Sequence, residues 1–526
     1  MTSRLRPWFA GILLLAWLTA DAPAQEATPA AALEELQQRL TDHVSQPRFA
    51  AGLLGVKVVS LDSGKTIFEH DAGKLFSPAS NSKLYTVALA LDQLGGNYRI
   101  KTSLYAAVKP DAQGKLQGDL IVYGRGDPTL NARRNGGDTF KALQPLVSAL
   151  TNAGVKDIAG DLVGDESFFR GNPYGSGWDC DDLEYYYGAE ISALTINDNI
   201  LQLFAKPGER EGAPCRLALS PSANYLALSN RAQTVAASGR RSINLHRPLG
   251  ENVLYVSGQL PLADAGYTGD ATIHNPAGLF VALFKEALAR NNIKVKGKLR
   301  TVNWLERQVE PLELGELVEL GSVESPPLRE LAREIQKPSQ NLYTDLLLAH
   351  VGEAERRNSN RREPIGGQIP AESEPDALAS SEDLGIRALY RFLTKAGIRR
   401  SDVQFEEGSG LSRNNLTTPN ATVALLQYMS RHAEAEAYLN ALPVAGVDGT
   451  LRNRLTNTPA AGNVRAKTGT LRWANSLSGH VTTAAGERLI FSIMLNRYVA
   501  GTNPPARGEV DKIAVMLAEF AGRSDK

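Results

Sequence analysis

Ser77-Pro78-Ala79-Ser80-Asn81-Ser82-Lys83 leads without a break into Leu84-Tyr85-Thr86-Val87-Ala88-Leu89-Ala90-Leu91, and the rest of the chain takes its meaning from this stretch. The second half predicts a helix, since apolar residues recur and neither Gly nor Pro interrupts them. Pro78 just ahead suits a helix start, where a missing N–H leaves no helical bond unmade. Ser80 and Lys83 are then one turn apart on the same face. A serine hydroxyl is a weak nucleophile until a base takes its proton, and a desolvated, neutral lysine can do so. A helix start also turns backbone N–H groups towards whatever Ser80 attacks. In isolation the same residues describe an N-cap with a solvated lysine, so the reading depends on partners elsewhere in the chain.

Upstream, Val56-Lys57-Val58-Val59 and Thr66-Ile67-Phe68-Glu69 flank a glycine turn and predict a hairpin. Gly64-Lys65-Thr66 has the ending of a phosphate loop but lacks the earlier glycine that such a loop needs. Leu33, Leu36 and Leu40 form one stripe of a surface helix over residues 32–44. At the start, Arg4 and Arg6 precede an apolar run over residues 8–18, and Ala22-Pro23-Ala24 follows. That is the layout of a cleaved secretory signal over residues 1–24, with an uncleaved anchor as the alternative. The run is short for a bilayer span. The expectation is an exported, periplasmic protein, with a mature chain starting near Gln25 and no transmembrane segment.

Downstream the texture changes. Short alternating runs broken by Gly and Asp, such as Ile100–Tyr105, Asp119–Gly124 and Asp161–Asp165, predict strands from about Tyr98 to about residue 320, with one helix at Pro276–Asn291. Helices return at Leu328–Gln336 and Leu342–Gly352. Residues 353–378 are polar and read as a surface loop, and a helix follows at Ser381–Ala396. Val464–Thr470, Ser476–Val481 and Arg488–Leu495 predict three adjacent antiparallel strands, and Glu509–Ala521 a closing helix. An α/β texture is thus interrupted by a β-rich stretch and then resumed, which predicts one domain carrying an insertion. The boundaries are residues 25–97 and 326–526 for the interrupted domain, and 98–325 for the insertion.

Two further short motifs stand in the C-terminal part. Lys337-Pro338-Ser339-Gln340-Asn341 opens a helix, and Lys467-Thr468-Gly469-Thr470 lies in a predicted edge strand. Each alone is compatible with a capping serine or an exposed strand end. In the order S-x-x-K, S-x-N, K-T-G they form the set used by active-site-serine β-lactamases and penicillin-binding proteins. The chain resembles the class C low-molecular-mass penicillin-binding proteins, the DacB type of D-alanyl-D-alanine carboxypeptidase/endopeptidase. The long gap between Ser80 and Ser339 supports that resemblance, as do Gly126-Asp127-Pro128-Thr129-Leu130, His274-Asn275-Pro276-Ala277, Gly408-Ser409-Gly410-Leu411-Ser412-Arg413 and Val447-Asp448-Gly449-Thr450-Leu451.

The resemblance implies a multi-domain α/β protein: a penicillin-recognising, serine transpeptidase-like domain with an antiparallel sheet and helices, split around about two nested β-rich domains. It implies catalytic roles for Ser80, Lys83, Ser339, Asn341 and Lys467, carboxylate binding by Thr468, Gly469 and Thr470, and an oxyanion hole from the N–H groups of Ser80 and Thr470. Peptidoglycan stem peptides would be the substrates and β-lactams covalent inhibitors. By position, Asp182, Tyr187, Arg413 and Arg472 match residues that would meet the zwitterionic end of a stem-peptide side chain, as in meso-diaminopimelate. Alternatively, the aromatic run at Tyr185-Tyr186-Tyr187 packs a domain junction. Glu407 stands where the family usually has Asp, Cys180 where an aromatic is common, and Arg472 where some relatives have an uncharged polar residue. The other functions considered are a β-lactamase or esterase on the same core, and a non-catalytic cell-wall binding protein.

The whole chain sets the remaining bounds. Its 526 residues carry 57 Lys and Arg against 57 Asp and Glu, with no basic stripe, which argues against nucleic acid. Seven scattered histidines and two cysteines, Cys180 and Cys215, form no metal-ligand spacing, so neither a metal nor another cofactor is expected. The two cysteines could pair in an oxidising compartment or stay free.

Overall fold

The computed structural model describes residues 29–360 and 379–525. The signal-sequence reading of residues 1–24 lies outside the described residues, as does most of the polar stretch before Ser381. Among the described residues, no helix is long and apolar enough to cross a membrane.

One five-stranded antiparallel sheet is built from both ends of the chain. Its order is Arg465–Leu471, Ala474–Thr482, Arg488–Asn496, Leu53–Ser60, Thr66–His70. The register pairs Val56 with Ile493 and Val58 with Phe491, so alternate residues point to opposite faces. Leu54, Val56, Val58, Phe491 and Ile493 pack one face against the terminal helices Pro29–Val44 and Ala506–Glu519. Val59 and Ile490 turn to the other face, into a larger helical core. At the centre of that core runs the helix Ser82–Leu94, in which every residue from Ser82 to Leu91 is buried. Each fully buried Leu or Val is worth about 1.5–3 kcal/mol. That anchoring offsets the burial of one lysine within the same helix.

Residues between these segments form separate layers around their own core. A mixed five-stranded sheet runs Leu299–Val302, Leu162–Asp165, Leu120–Tyr123, Lys101–Ala106, Val318–Glu324. Among the described residues three three-stranded sheets accompany it, one of them ordered Ala227–Val235, Val253–Pro261, Ser242–His246. The insertion is also more helical than its pattern predicts. Besides Pro276–Arg290 it holds the helix Thr139–Asn152, capped by Asp138, whose carboxylate accepts from the N–H groups of Phe140 and Lys141. Pro145 inside this helix disguises it, since an internal proline removes a helical hydrogen bond and reads as a breaker.

Two boundaries need correction. The second motif's helix spans Asn341–Asn360, so the stretch read as a loop from residue 353 begins as helix. Its polar residues are paired inward there: Arg356 Nε donates to Glu353 at 3.1 Å, and Arg356 Nη2 donates to the Ala379 carbonyl at 2.7 Å. Ser80 lies in a 3-10 turn over Ala79–Asn81, and the α-helix starts only at Ser82.

Candidate active site

The three motifs converge at the edge of the five-stranded sheet. Ala79 adopts φ +48°, bending the chain sharply before Ser80. The turn is fastened to the sheet, where Ser476 Oγ donates to the Pro78 carbonyl at 2.7 Å and Asn81 Nδ2 to Ser478 Oγ at 2.7 Å. Gly469 explains itself here: a Cβ would lie 2.4 Å from the Pro78 carbonyl and 2.2 Å from Ser476 Oγ. Only glycine lets the edge strand approach the serine turn this closely. On the opposite side Gly410, at φ +82°, brings its Cα against the Ala79 carbonyl, where a Cβ would meet oxygen at 2.0 Å.

Lys83 Nζ donates to Ser80 Oγ at 3.0 Å, to Asn341 Oδ1 at 2.6 Å and to the Ser409 carbonyl at 2.5 Å. The lysine is wholly buried, and burial pushes its pKa down to about 8, against the opposing pull of the negative charges of Asp345 and Glu407. Lys467 is equally buried. Its pKa is driven well below the usual lysine range, first by burial and then by the charge of Lys83. Its ammonium group reaches Ser339 Oγ at 2.8 Å and the Thr468 carbonyl at 2.8 Å. Ser339 is held at φ +66°, a left-handed conformation that costs a serine about 1–3 kcal/mol and aims its hydroxyl at Lys467. Ser80, Lys83 and Asn341 thus form one hydrogen-bonded group and Ser339 and Lys467 a second, close enough for the charge of Lys83 to act on Lys467, and Thr468 Oγ1 donates to Thr450 Oγ1 at 2.7 Å. Thr470 is exposed one strand position beyond Gly469.

The inserted segment reaches this cluster. Asn341 Nδ2 donates to the Tyr187 carbonyl at 2.8 Å. Tyr187 stacks on Tyr185 at 5.4 Å, and its hydroxyl bonds to Asp182. Burial, then the neighbouring Asp179 and Asp181, hold Asp182 above the usual aspartate range. Arg413 Nε bonds to Asp179 at 3.3 Å rather than to Asp182, and Arg413 Nη1 to the Arg472 carbonyl at 3.0 Å. Arg472 is exposed, and its guanidinium makes no ion pair among the described residues. Cys180 is exposed and Cys215 buried, both as free thiols.

Sequence reading did not single out Asp345, one helical turn beyond Asn341 and on the same face. Its Oδ1 accepts from the Gly408 N–H at 3.1 Å, while Oδ2 is buried without a partner. Burial, then Glu407 and Glu382, raise its pKa far above the aspartate range. Glu407 organises the segment that carries the Ser409 carbonyl. It accepts from the Ser409 N–H at 2.8 Å, the Gly410 N–H at 2.7 Å and Asn415 Nδ2 at 2.7 Å. Removing it leaves several buried donors unpaired, each costing about 1–3 kcal/mol. Glu407→Ala should lower unfolding stability by about 3–5 kcal/mol in urea titration. A loss below 1 kcal/mol would show that the segment does not depend on it.

The arrangement pairs a serine with a buried, largely desolvated amine and sets a second buried amine against a second serine. This is the layout for acyl transfer through a covalent serine intermediate. Comparison with known proteins agrees. The model of the "D-Ala-D-Ala carboxypeptidase 3 (S13) family" matches residues 36–364 and 371–519. The chain is 32% identical over 525 residues to a D-alanyl-D-alanine carboxypeptidase of Actinomadura sp. (strain R39), covering 97% of this chain and 89% of the relative. A crystal structure of penicillin binding protein 4 (dacB) from Haemophilus influenzae superposes with a TM-score of 0.73 at 25% identity, covering 92% of this chain and 97% of that one. A second structure of that protein, complexed with a β-lactam, gives a TM-score of 0.68 at 23% identity over the same shares.

Proposed function

The chain belongs to the D-Ala-D-Ala carboxypeptidase 3 (S13) family, and on that premise we propose that Ser80 is the nucleophile of a serine D,D-peptidase that trims peptidoglycan stem peptides and cuts their D-Ala–diaminopimelate crosslinks. The observation that carries this reading is the 3.0 Å contact between Ser80 Oγ and a wholly buried Lys83.

Neutral Lys83 takes the Ser80 proton as Oγ attacks the carbonyl of the penultimate D-alanine. The N–H groups of Ser80 and Thr470 receive the oxyanion, each such donor being worth about 3 kcal/mol. The tetrahedral adduct collapses by breaking the C–N bond. The leaving amine takes a proton from Ser339 Oγ, which is resupplied by the bonded Lys467. Water then adds to the acyl-Ser80 ester, its proton passing back through Ser339 to Lys467, and Lys83 returns its proton to Ser80 Oγ as the shortened peptide leaves. Lys467 with Thr468 and Thr470 holds the terminal carboxylate by charge-assisted hydrogen bonds. Asn341 keeps one lone pair and one N–H beyond those already used, enough to grip the substrate amide.

At the inserted segment, Asp182 and Tyr187 face the amine of the third stem residue's side chain, and Arg472 its carboxylate. Arg413 shares its charge with Asp179, which leaves Arg472 the freer cation. A β-lactam acylates Ser80 because its ring amide stands in for the scissile bond. The periplasm is the compartment that the N-terminal stretch and the cell-wall substrate both call for.

The test uses protein recovered from the periplasm, with a mature chain starting near Gln25. It should release D-alanine from a muropeptide pentapeptide and become covalently labelled by a fluorescent penicillin. Absence of both would overturn the reading.

A further inference from the structure

Beside the second and third motifs opens a cleft of about 950 Å³, and nothing in the chemistry above uses it. Its floor is the Lys337–Pro338 step that leads into Ser339, with the turn at Asp448–Thr450 laid against it. The Thr450 N–H donates to the Lys337 carbonyl at 3.0 Å, and Lys337 Nζ pairs with Asp448 at 2.7 Å. The same Thr450 accepts the hydroxyl of Thr468. One wall of the cleft is thus a single hydrogen bond from the third motif.

The cleft is strongly cationic. Arg133 and Arg134, from the insertion, pair with Glu334, and Arg454 pairs with Asp511 at 2.6 Å. Arg333, Arg452 and Arg507 are exposed around it and make no ion pair among the described residues, with Glu330 the acid left unpaired beside them. Three free guanidinium groups from three separate elements therefore face one space, a concentration of positive potential suited to a ligand with several anionic groups.

The position of the cleft identifies that ligand. Thr468 belongs to the end of the site that holds the carboxylate of the leaving group. When the leaving group is free D-alanine, it carries one carboxylate and ends there. When the bond cut is a crosslink, the leaving amine belongs to a second stem peptide, which continues past that carboxylate and bears further carboxylates. We propose that this cleft is the subsite for the departing strand of a crosslink, binding its additional carboxylates through Arg333, Arg452 and Arg507. The proposal rests on the D,D-peptidase reading above and assigns its endopeptidase activity to a surface that trimming of pentapeptides does not need.

The experiment compares three purified muropeptide substrates: a monomeric pentapeptide, a D-Ala–diaminopimelate crosslinked dimer, and the same dimer with only the departing strand's additional carboxylates amidated, the one next to the scissile bond left free. Each exposed charge contact contributes roughly two- to fivefold. The triple variant Arg333→Gln/Arg452→Gln/Arg507→Gln should therefore lose about tenfold in kcat/KM on the dimer, mainly through KM, and stay within about twofold on the monomer. Wild-type enzyme should cut the amidated dimer about as slowly as the variant cuts the ordinary one, and the variant should lose nothing more on the amidated dimer. Equal losses on monomer and dimer, or an unchanged dimer rate, overturn the subsite while leaving the peptidase reading intact. Wild-type enzyme that releases D-alanine yet leaves the dimer whole overturns crosslink cleavage, and the subsite with it. Wild-type enzyme that fails on both substrates overturns the peptidase reading.

Discussion

Ser80→Ala should yield a folded protein that takes up no fluorescent penicillin and releases D-alanine slower by a factor on the order of 10⁶, the scale seen when a serine hydrolase loses its nucleophile. The hydroxyl removed is half-buried and, among the described residues, bonded only to Lys83, so unfolding stability should stay within about 0.5 kcal/mol of wild type. That contrast makes the experiment decisive. The buried helix from Ser82 to Leu91 is untouched, as are the ties from Pro78 and Asn81 to the sheet. A lost activity then reports a lost covalent bond rather than a lost fold. Undiminished labelling would move the nucleophile elsewhere and remove the basis for every role assigned around it.

Lys83→Met keeps the length and burial of the side chain and removes the base. Acylation should fall by about 10³–10⁴ while Ser80 remains in place, at the upper end of what general bases contribute. The pH dependence gives a second reading with a definite sign. Burial disfavours the ammonium form, so the lysine pKa drops from its ordinary 10.5 to about 8. The neutral amine is the active form, so wild-type acylation should rise about tenfold per pH unit below pH 8 and level off above it. Residual acylation by Lys83→Met should be flat across that interval. A wild-type profile that keeps rising to pH 10 would mean that Lys83 is solvated in the working enzyme. A profile with no rise near pH 8 would mean that another group takes the proton.

Lys467 sharpens the electrostatic argument. Two fully buried lysines share the site, and each charge raises the free energy of the other. The helix and sheet cores supply the burial that keeps this pair from being doubly protonated. Glu407 and Asp345 work in the other direction on Lys83. The working pKa is therefore a balance between desolvation and two carboxyl groups from distant parts of the chain.

The features that were legible share one property: they are encoded by neighbours in sequence. The hairpin at Leu53–Ser60 and Thr66–His70 follows from alternation around a glycine turn. The Leu328–Gln336 helix follows from its apolar periodicity. The three motifs were readable because each sits at a turn, helix start or strand edge that its own residues specify. Where local signals conflict with tertiary context, reading fails. Pro145 hid the Thr139–Asn152 helix, and the polar stretch after Gly352 hid helix whose charges are paired inward.

From the order of the residues follow the three short motifs, the roles proposed through them for Ser80, Lys83 and their partners, and the expectation of a long insertion between the first two. Other features exist only once the chain has folded. The 3-10 bend at Ser80 is set by Gly410 and Gly469 pressing from either side. The full burial of Lys83 and Lys467, the buried Asp345 with one carboxylate oxygen unpaired, and the cationic cleft at Arg333, Arg452 and Arg507 belong with it. The reason is physical. Periodicity and turn chemistry act over a few residues. Desolvation and Coulomb energy are sums over whatever lies within several ångströms, and at this site those neighbours come from four parts of the chain that only packing brings together.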